Sequence, residues 1–169
     1  MRFLKKHFGK GTPPERVEME EERLGPCVFE REAGEDVLRL ISPSLSFGRH
    51  EGTEVEIEVP GERTGEALRC LAGVHDRQET YLRKFYEGIL SFCEEWEETD
   101  SEGNPVTMEL VERNSSLFRV RVKESWTGNL TVSLNGMIFD DRQKDLLGCH
   151  SVVMEIDGET GEVEYDLEG

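Results

Sequence analysis

Hydrophobic and polar positions divide the chain into stretches of two different periods. In SLSFGRHEGTEVEIEVPG, residues 44–61, Val55, Ile57 and Val59 alternate with Glu54, Glu56 and Glu58. Successive side chains of a strand point to opposite faces, so this alternation predicts a strand with its apolar side on a core and three carboxylates in water. A partner strand is expected just before it, through a turn at Glu51-Gly52, and Pro60-Gly61 ends it. From Thr64 the period lengthens: Ala67, Leu71, Val74, Leu82, Phe85, Ile89, Phe92 and Trp96 recur every three or four residues, with only Gln78 breaking the row. That spacing places them on one helical stripe, capped at Thr64 and expected to break at Gly73.

The last third returns to a period of two. Phe118, Val120 and Val122 alternate with Arg119, Arg121 and Lys123, Leu130, Val132 and Leu134 with Thr131 and Ser133, and Val163, Tyr165 and Leu167 with Glu164 and Asp166. With a further strand at 151–156, and turn signals at Thr127-Gly128, Asn135-Gly136 and Asp157-Gly158, this reads as a meander. Upstream, CVFERE and DVLRLI flank Ala33-Gly34-Glu35 as a short hairpin, whereas residues 9–26 are rich in Gly, Pro and Glu and read as a linker. The expected organisation is therefore a flexible basic N-terminus and acidic linker over 1–26, then a single domain over 27–169. Every strand has one apolar face, which predicts an α+β fold: a mostly antiparallel sheet of about six to eight strands in two groups, packed on one long or broken helix, its other face solvated.

Charge narrows the partners. The chain has 20 basic and 37 acidic residues, a net charge of −17. A field of that sign repels phosphate backbones and anionic headgroups, so neither nucleic acid nor a membrane surface is expected as a partner, while a basic protein is favoured. The opening MRFLKKHFGK is basic, with Phe3, Leu4 and Phe8, but its apolar run falls far short of the roughly 20 residues that span a bilayer. It reads as a frayed terminus, with a short amphipathic docking peptide as the alternative. Cysteines 27, 70, 93 and 149 show no CxxC spacing and no secretory signal precedes them, which points to reduced thiols and a cytoplasmic location.

These readings select a candidate contact set: Glu54, Glu56 and Glu58 on one strand, Glu162, Glu164 and Asp166 on another, and Trp126 as an exposed aromatic anchor beside a turn. The expected role is a protein-binding module that presents an acidic sheet face to a basic partner. The competing reading of the same charges is cross-strand pairing with the basic row at 119–123. Two further readings stand beside it. An enzyme would use His150 or His75 with neighbouring carboxylates as acid and base. A calcium-binding protein would use ETDSEGNPVTME, residues 98–109, which places Asp100, Gly103 and Glu109 at the third, sixth and twelfth positions of a calcium loop but Glu98 at the first and Pro105 at the eighth.

Cys149 and His150 are expected to begin a strand, where neighbours point apart and cannot share a metal or act as a nucleophile and base couple. No phosphate-binding loop, HExxH or GxSxG pattern occurs, so no catalytic residue, metal ligand or cofactor is assigned.

The order Leu24-Gly25, the VEIEV strand, the helix from Thr64 and the closing GCHSVVMEIDGETGEVEYDLEG resembles an uncharacterised bacterial family of domains of unknown function, with a C-terminal Gly-His-Ser-apolar strand. Cys149 interrupts the Gly-His step. The resemblance spans about 145 residues and implies the α+β architecture but no reaction. In size and charge such domains are similar to immunity proteins that neutralise bacterial toxins.

Overall fold

A computed structural model describes residues 13–169. Eight strands form one sheet whose spatial order follows the chain: β1 (Glu15–Glu21), β2 (Gly25–Arg31), β3 (Leu38–Ser42), β4 (Glu54–Glu58), β5 (Ser115–Glu124), β6 (Leu130–Ile138), β7 (Ser151–Asp157) and β8 (Val163–Glu168). Every neighbouring pair is antiparallel except β4 and β5. Those two are parallel because the chain between them crosses the sheet as α1 (Thr64–Asp76), α2 (Gln78–Glu95) and α3 (Met108–Asn114). The two groups of strands expected from the sequence are thus the two halves of one α+β sheet, joined at the crossover.

The apolar stripe of the helices meets the apolar parity of the strands in a single core. Leu68, Leu71, Phe85 and Ile89 pack with Val55, Ile57, Val120, Val132, Leu134 and Met154. Gly136 of β6 shows how closely the layers approach: a Cβ there would meet the Phe85 ring at 2.8 Å and the Ser116 carbonyl closer still. Asn135-Gly136, expected as a turn, therefore lies inside β6, and the glycine serves helix packing. Gly88 plays the reciprocal part on α2, where the Tyr165 ring of β8 lies against its bare Cα and the Tyr165 hydroxyl donates to the Lys84 carbonyl at 2.9 Å.

Four further expectations change. Residues 15–21 are a strand paired residue by residue with β2, so order begins well before residue 27. The opening basic segment MRFLKKHFGK lies outside the described residues. The helix breaks at Arg77, which joins α1 to α2, and Gly73 is internal to α1. The segment before β4 forms only a Phe47–His50 bridge, and β4 takes β3 and β5 as neighbours instead. Cys149 and His150 precede β7 rather than opening it. Cys149 sits in a turn at φ 72° with its N–H donated to the Asp145 carboxylate at 2.7 Å.

Candidate functional site

The helix-free face of the sheet carries the charges singled out in the sequence, and their register decides what they do. Glu54, Glu56 and Glu58 of β4 lie directly opposite Arg119, Arg121 and Lys123 of β5. On the other side Arg39 of β3 lies opposite Glu56. Glu56 is the centre: its side chain is 4% exposed and lies within 3.6 Å of Arg39, Arg119 and Arg121, the last at 2.8 Å. Glu54 pairs with Arg39 and Arg119, and Glu58 with Arg121. In this row, expected to face water as a contact surface, the long guanidinium side chains cover the middle carboxylate, while Glu54 and Glu58 stay exposed at 42% and 46% but are engaged in ion pairs.

The second acidic row behaves differently. Glu162, Glu164 and Asp166 are exposed and form no ion pair among the described residues. β8 is an edge strand with one side of its backbone unpaired in the sheet. Glu164 stands directly opposite Glu155 of β7, whose carboxylate is engaged by Lys123, so two like charges face each other at the sheet edge.

Trp126 lies at the same end of the sheet as Glu162. It occupies the β5–β6 turn and is 97% exposed. That turn is braced: Ser125 N–H donates to the Asn129 carbonyl at 2.8 Å, Gly128 adopts φ 88° and its N–H donates to the Ser125 carbonyl, and Arg63 donates to the Gly128 carbonyl at 2.6 Å. The β7–β8 turn docks beside it, with Gly158 N–H on the Leu130 carbonyl at 2.8 Å and Asn129 on Asp157. Within that turn the Asp157 carboxylate accepts from Thr160 and Glu159, which holds it below the usual carboxylate range. An indole with no covering side chain is thus presented on a rigid support beside an acidic turn.

The two histidines of the enzyme reading are each engaged by a main-chain carbonyl and an aromatic edge. His75 donates from Nε2 to Ser46 at 3.1 Å and meets Phe47, while His150 donates from Nδ1 to Leu147 at 2.8 Å and meets Trp96. No carboxylate bonds to either ring among the described residues. In the 98–109 segment each acidic side chain turns to its own partner. Asp100 accepts from the backbone of Glu102 and Asn104, Glu102 pairs with Arg142, Glu109 with Arg113, and Glu98 approaches Lys144. Thr107 caps α3 inside the span that a calcium loop would need. Among the described residues no group of three or more His, Cys, Asp or Glu side chains is placed to hold an ion.

Two polar clusters were not visible in the sequence. Asp140 is buried and accepts from Ser101 N–H and hydroxyl, Arg142 N–H and Lys144 N–H, which binds the 100–104 and 140–144 turns together. These donors, the Ser101 hydroxyl foremost, hold its carboxyl down to about 2. The second is His50, 6% exposed. It lies ahead of β4, where β5 is paired with β6 but has no strand yet on its other side. Its Nδ1 accepts the Leu117 N–H at 3.3 Å, and Thr53 donates to the Leu117 carbonyl at 3.2 Å, so two side chains continue the ladder that β4 has not begun. With Nδ1 accepting, the ring proton is on Nε2 and is donated to the Tyr86 hydroxyl at 2.8 Å. Burial, and then the Arg49 cation, lower the His50 pKa to about 4, so the ring is neutral at physiological pH. Nothing in FGRHEG signals this pairing, because Tyr86 lies off the apolar stripe and 36 residues away.

All four cysteines are free thiols, and burial raises the pKa of Cys27, Cys70 and Cys93, the last to about 12. No described helix is long and apolar enough to cross a membrane. Comparison with protein-family models, with curated proteins and with solved structures finds no match for this chain.

Proposed function

We propose that this chain is a protein-binding module, of the immunity-protein kind, that docks a basic partner at the corner formed by Trp126 and the β7–β8 turn and edge. Trp126 supplies the apolar anchor; Glu162, Glu164 and Asp166 supply the charge. The single observation that carries the reading is the indole at 97% exposure on a braced turn beside carboxylates that form no ion pair among the described residues. Interface anchors are enriched in tryptophan, and a desolvated indole contributes far more than the scattered charges around it. The acidic row adds encounter rate and orientation, since its members recur every second residue, about 7 Å apart, a spacing that matches alternate side chains of an extended basic segment. Unpaired thiols and the absence of any CxxC spacing support a reducing compartment such as the cytoplasm.

The test uses the full chain with Trp96→Phe, which leaves Trp126 as the sole indole. Titration with a Lys- and Arg-rich peptide is expected to change Trp126 emission saturably, with an affinity that falls as salt rises and falls further in Glu162→Lys/Glu164→Lys. An emission that stays flat across the titration overturns the reading.

A further inference from the structure

The side of α2 that turns away from β8 borders a groove shared with α3, lined by Glu79, Leu82, Tyr86, Glu87, Met108 and Glu112, with Arg83 on the same wall. Tyr86 is among the residues that line it, and the partners of its phenol decide what that group can offer. The phenol oxygen accepts the Nε2–H of His50 at 2.8 Å, and the Arg49 guanidinium lies beside it, itself anchored to the Ser115 carbonyl at 2.6 Å. Both neighbours are donors, so the only capacity left to the hydroxyl is its own hydrogen, and no protein acceptor takes it among the described residues. The phenol stays protonated, because burial raises its pKa. His50 is locked in one tautomer by the Leu117 N–H behind it, which fixes the direction from which the phenol is held.

We propose that this groove is a second binding site, taking a Lys- or Arg-bearing peptide segment whose backbone carbonyl accepts from the Tyr86 hydroxyl while its side-chain cation lies among Glu79, Glu87 and Glu112. Leu82 and Met108 give the stem of such a side chain an apolar floor. Charge complementarity sets the occupant. The groove itself holds three carboxylates against the Arg83 cation, which already pairs with Glu87 at 3.2 Å, so a cation is favoured there and an anion is not. Arg49 is outside the lining, bonded to Ser115, and the phenol of Tyr86 is the donor for the oxygen that the ligand presents. The site is separate from the Trp126 corner and does not rest on it.

Amide chemical shifts of the full chain are followed while N-acetyl-arginine amide is added, with N-acetyl-norleucine amide as the arm that keeps the carbonyl and removes the cation. Saturable shifts at Tyr86, Met108 and Glu112 with the arginine probe are expected, and at least fivefold weaker binding for the norleucine probe. Tyr86→Phe keeps the ring but removes the acceptor of the buried His50 Nε2–H, so its urea midpoint of unfolding is expected to fall; read without urea, where the amide spectrum shows the variant folded, its binding of the arginine probe is expected to be about fivefold weaker. Glu112→Gln is expected to weaken it as well and to flatten its salt dependence. Equal affinity for both probes, undiminished affinity in Tyr86→Phe, or shifts confined to residues outside the groove would overturn the site.

Discussion

Glu56 is the residue on which the charge pattern turns. Parity alone put it on the helix-free face, and it is there. Parity could not say which strands flank it, because the neighbours Arg39 and Arg121 come from β3 and from a β5 that is 65 residues away in sequence. A carboxylate predicted to meet solvent is therefore buried under three guanidiniums. Glu56→Gln would remove the one buried partner those cations share and leave them only the exposed Glu54 and Glu58 on this strand, and urea unfolding is expected to show a loss of about 2–3 kcal/mol. That is less than for a fully buried pair, since each guanidinium side chain keeps about a third of its surface exposed. A change smaller than about 0.5 kcal/mol would place Glu56 in the ordinary class of surface salt bridges. His50 gives the pH counterpart. Its folded pKa of about 4 lies below the ordinary 6.5, so the folded chain binds fewer protons than the unfolded one between those values. The stability that His50 permits is complete above pH 6.5 and is lost as pH falls towards 4, by up to about 3 kcal/mol. His50→Gln should flatten the thermal midpoint over that window, whereas an unchanged slope would contradict it. Below pH 4 the aspartates take over, Asp140, Asp100 and Asp157 among them, as their lowered folded pKa values are passed.

At the scale of elements, the long periods were legible and the short or charged ones were not. The helical stripe from Ala67 to Phe92 and the strands at 54–58, 130–134 and 151–156 lie where their periodicity placed them, because each has enough apolar side chains on one face to fill its share of the core; in β5 Val120 and Val122 face the core as expected, but a register shift between Leu117 and Arg119 buries Leu117 and leaves Phe118 exposed. β1 was missed because ERVEMEE has only Val17 and Met19 to bury. What holds it is pairing and a staple: the Glu21 carboxylate accepts from the backbone of Arg23 and Leu24 and from the Arg23 guanidinium, and Arg23 reaches the Arg69 carbonyl at 2.9 Å and Asp76 on α1. Glu21→Ala removes the acceptor of four donated bonds at a buried position, and a loss of about 2 kcal/mol is expected. Hydrogen exchange should show it locally, with protection lost across 15–21 and retained in β5–β7; uniform retention throughout would mean that the staple contributes nothing. α3 escaped detection for a related reason: it is seven residues long, and its apolar residues Leu110 and Val111 form no repeating stripe.

For the whole molecule, the sign of the net charge was plain in the sequence, but its distribution was not. A residue count of −17 says that carboxylates are in excess; only the sheet register shows that the row on β4 is neutralised by β3 and β5, while the row on β8 is left bare at an edge. The contact set read from the sequence thus separates into an ion-paired half, buried only at Glu56, and a half without ion pairs among the described residues, and Trp126 stands with the latter because the β5–β6 and β7–β8 turns dock on one another. Edge strands with outward carboxylates resist pairing with other acidic chains and accept basic ones, which is how one surface can protect against aggregation and still select a partner.

The most direct measurement is an amide chemical-shift map of the full chain titrated with the Lys- and Arg-rich peptide. The account predicts that the Trp126 indole N–H and the amides of 157–166 shift together and saturate, while those of Glu54, Glu56 and Glu58 stay in place. Shifts centred on 54–58 and 119–123, with Trp126 unmoved, would contradict it.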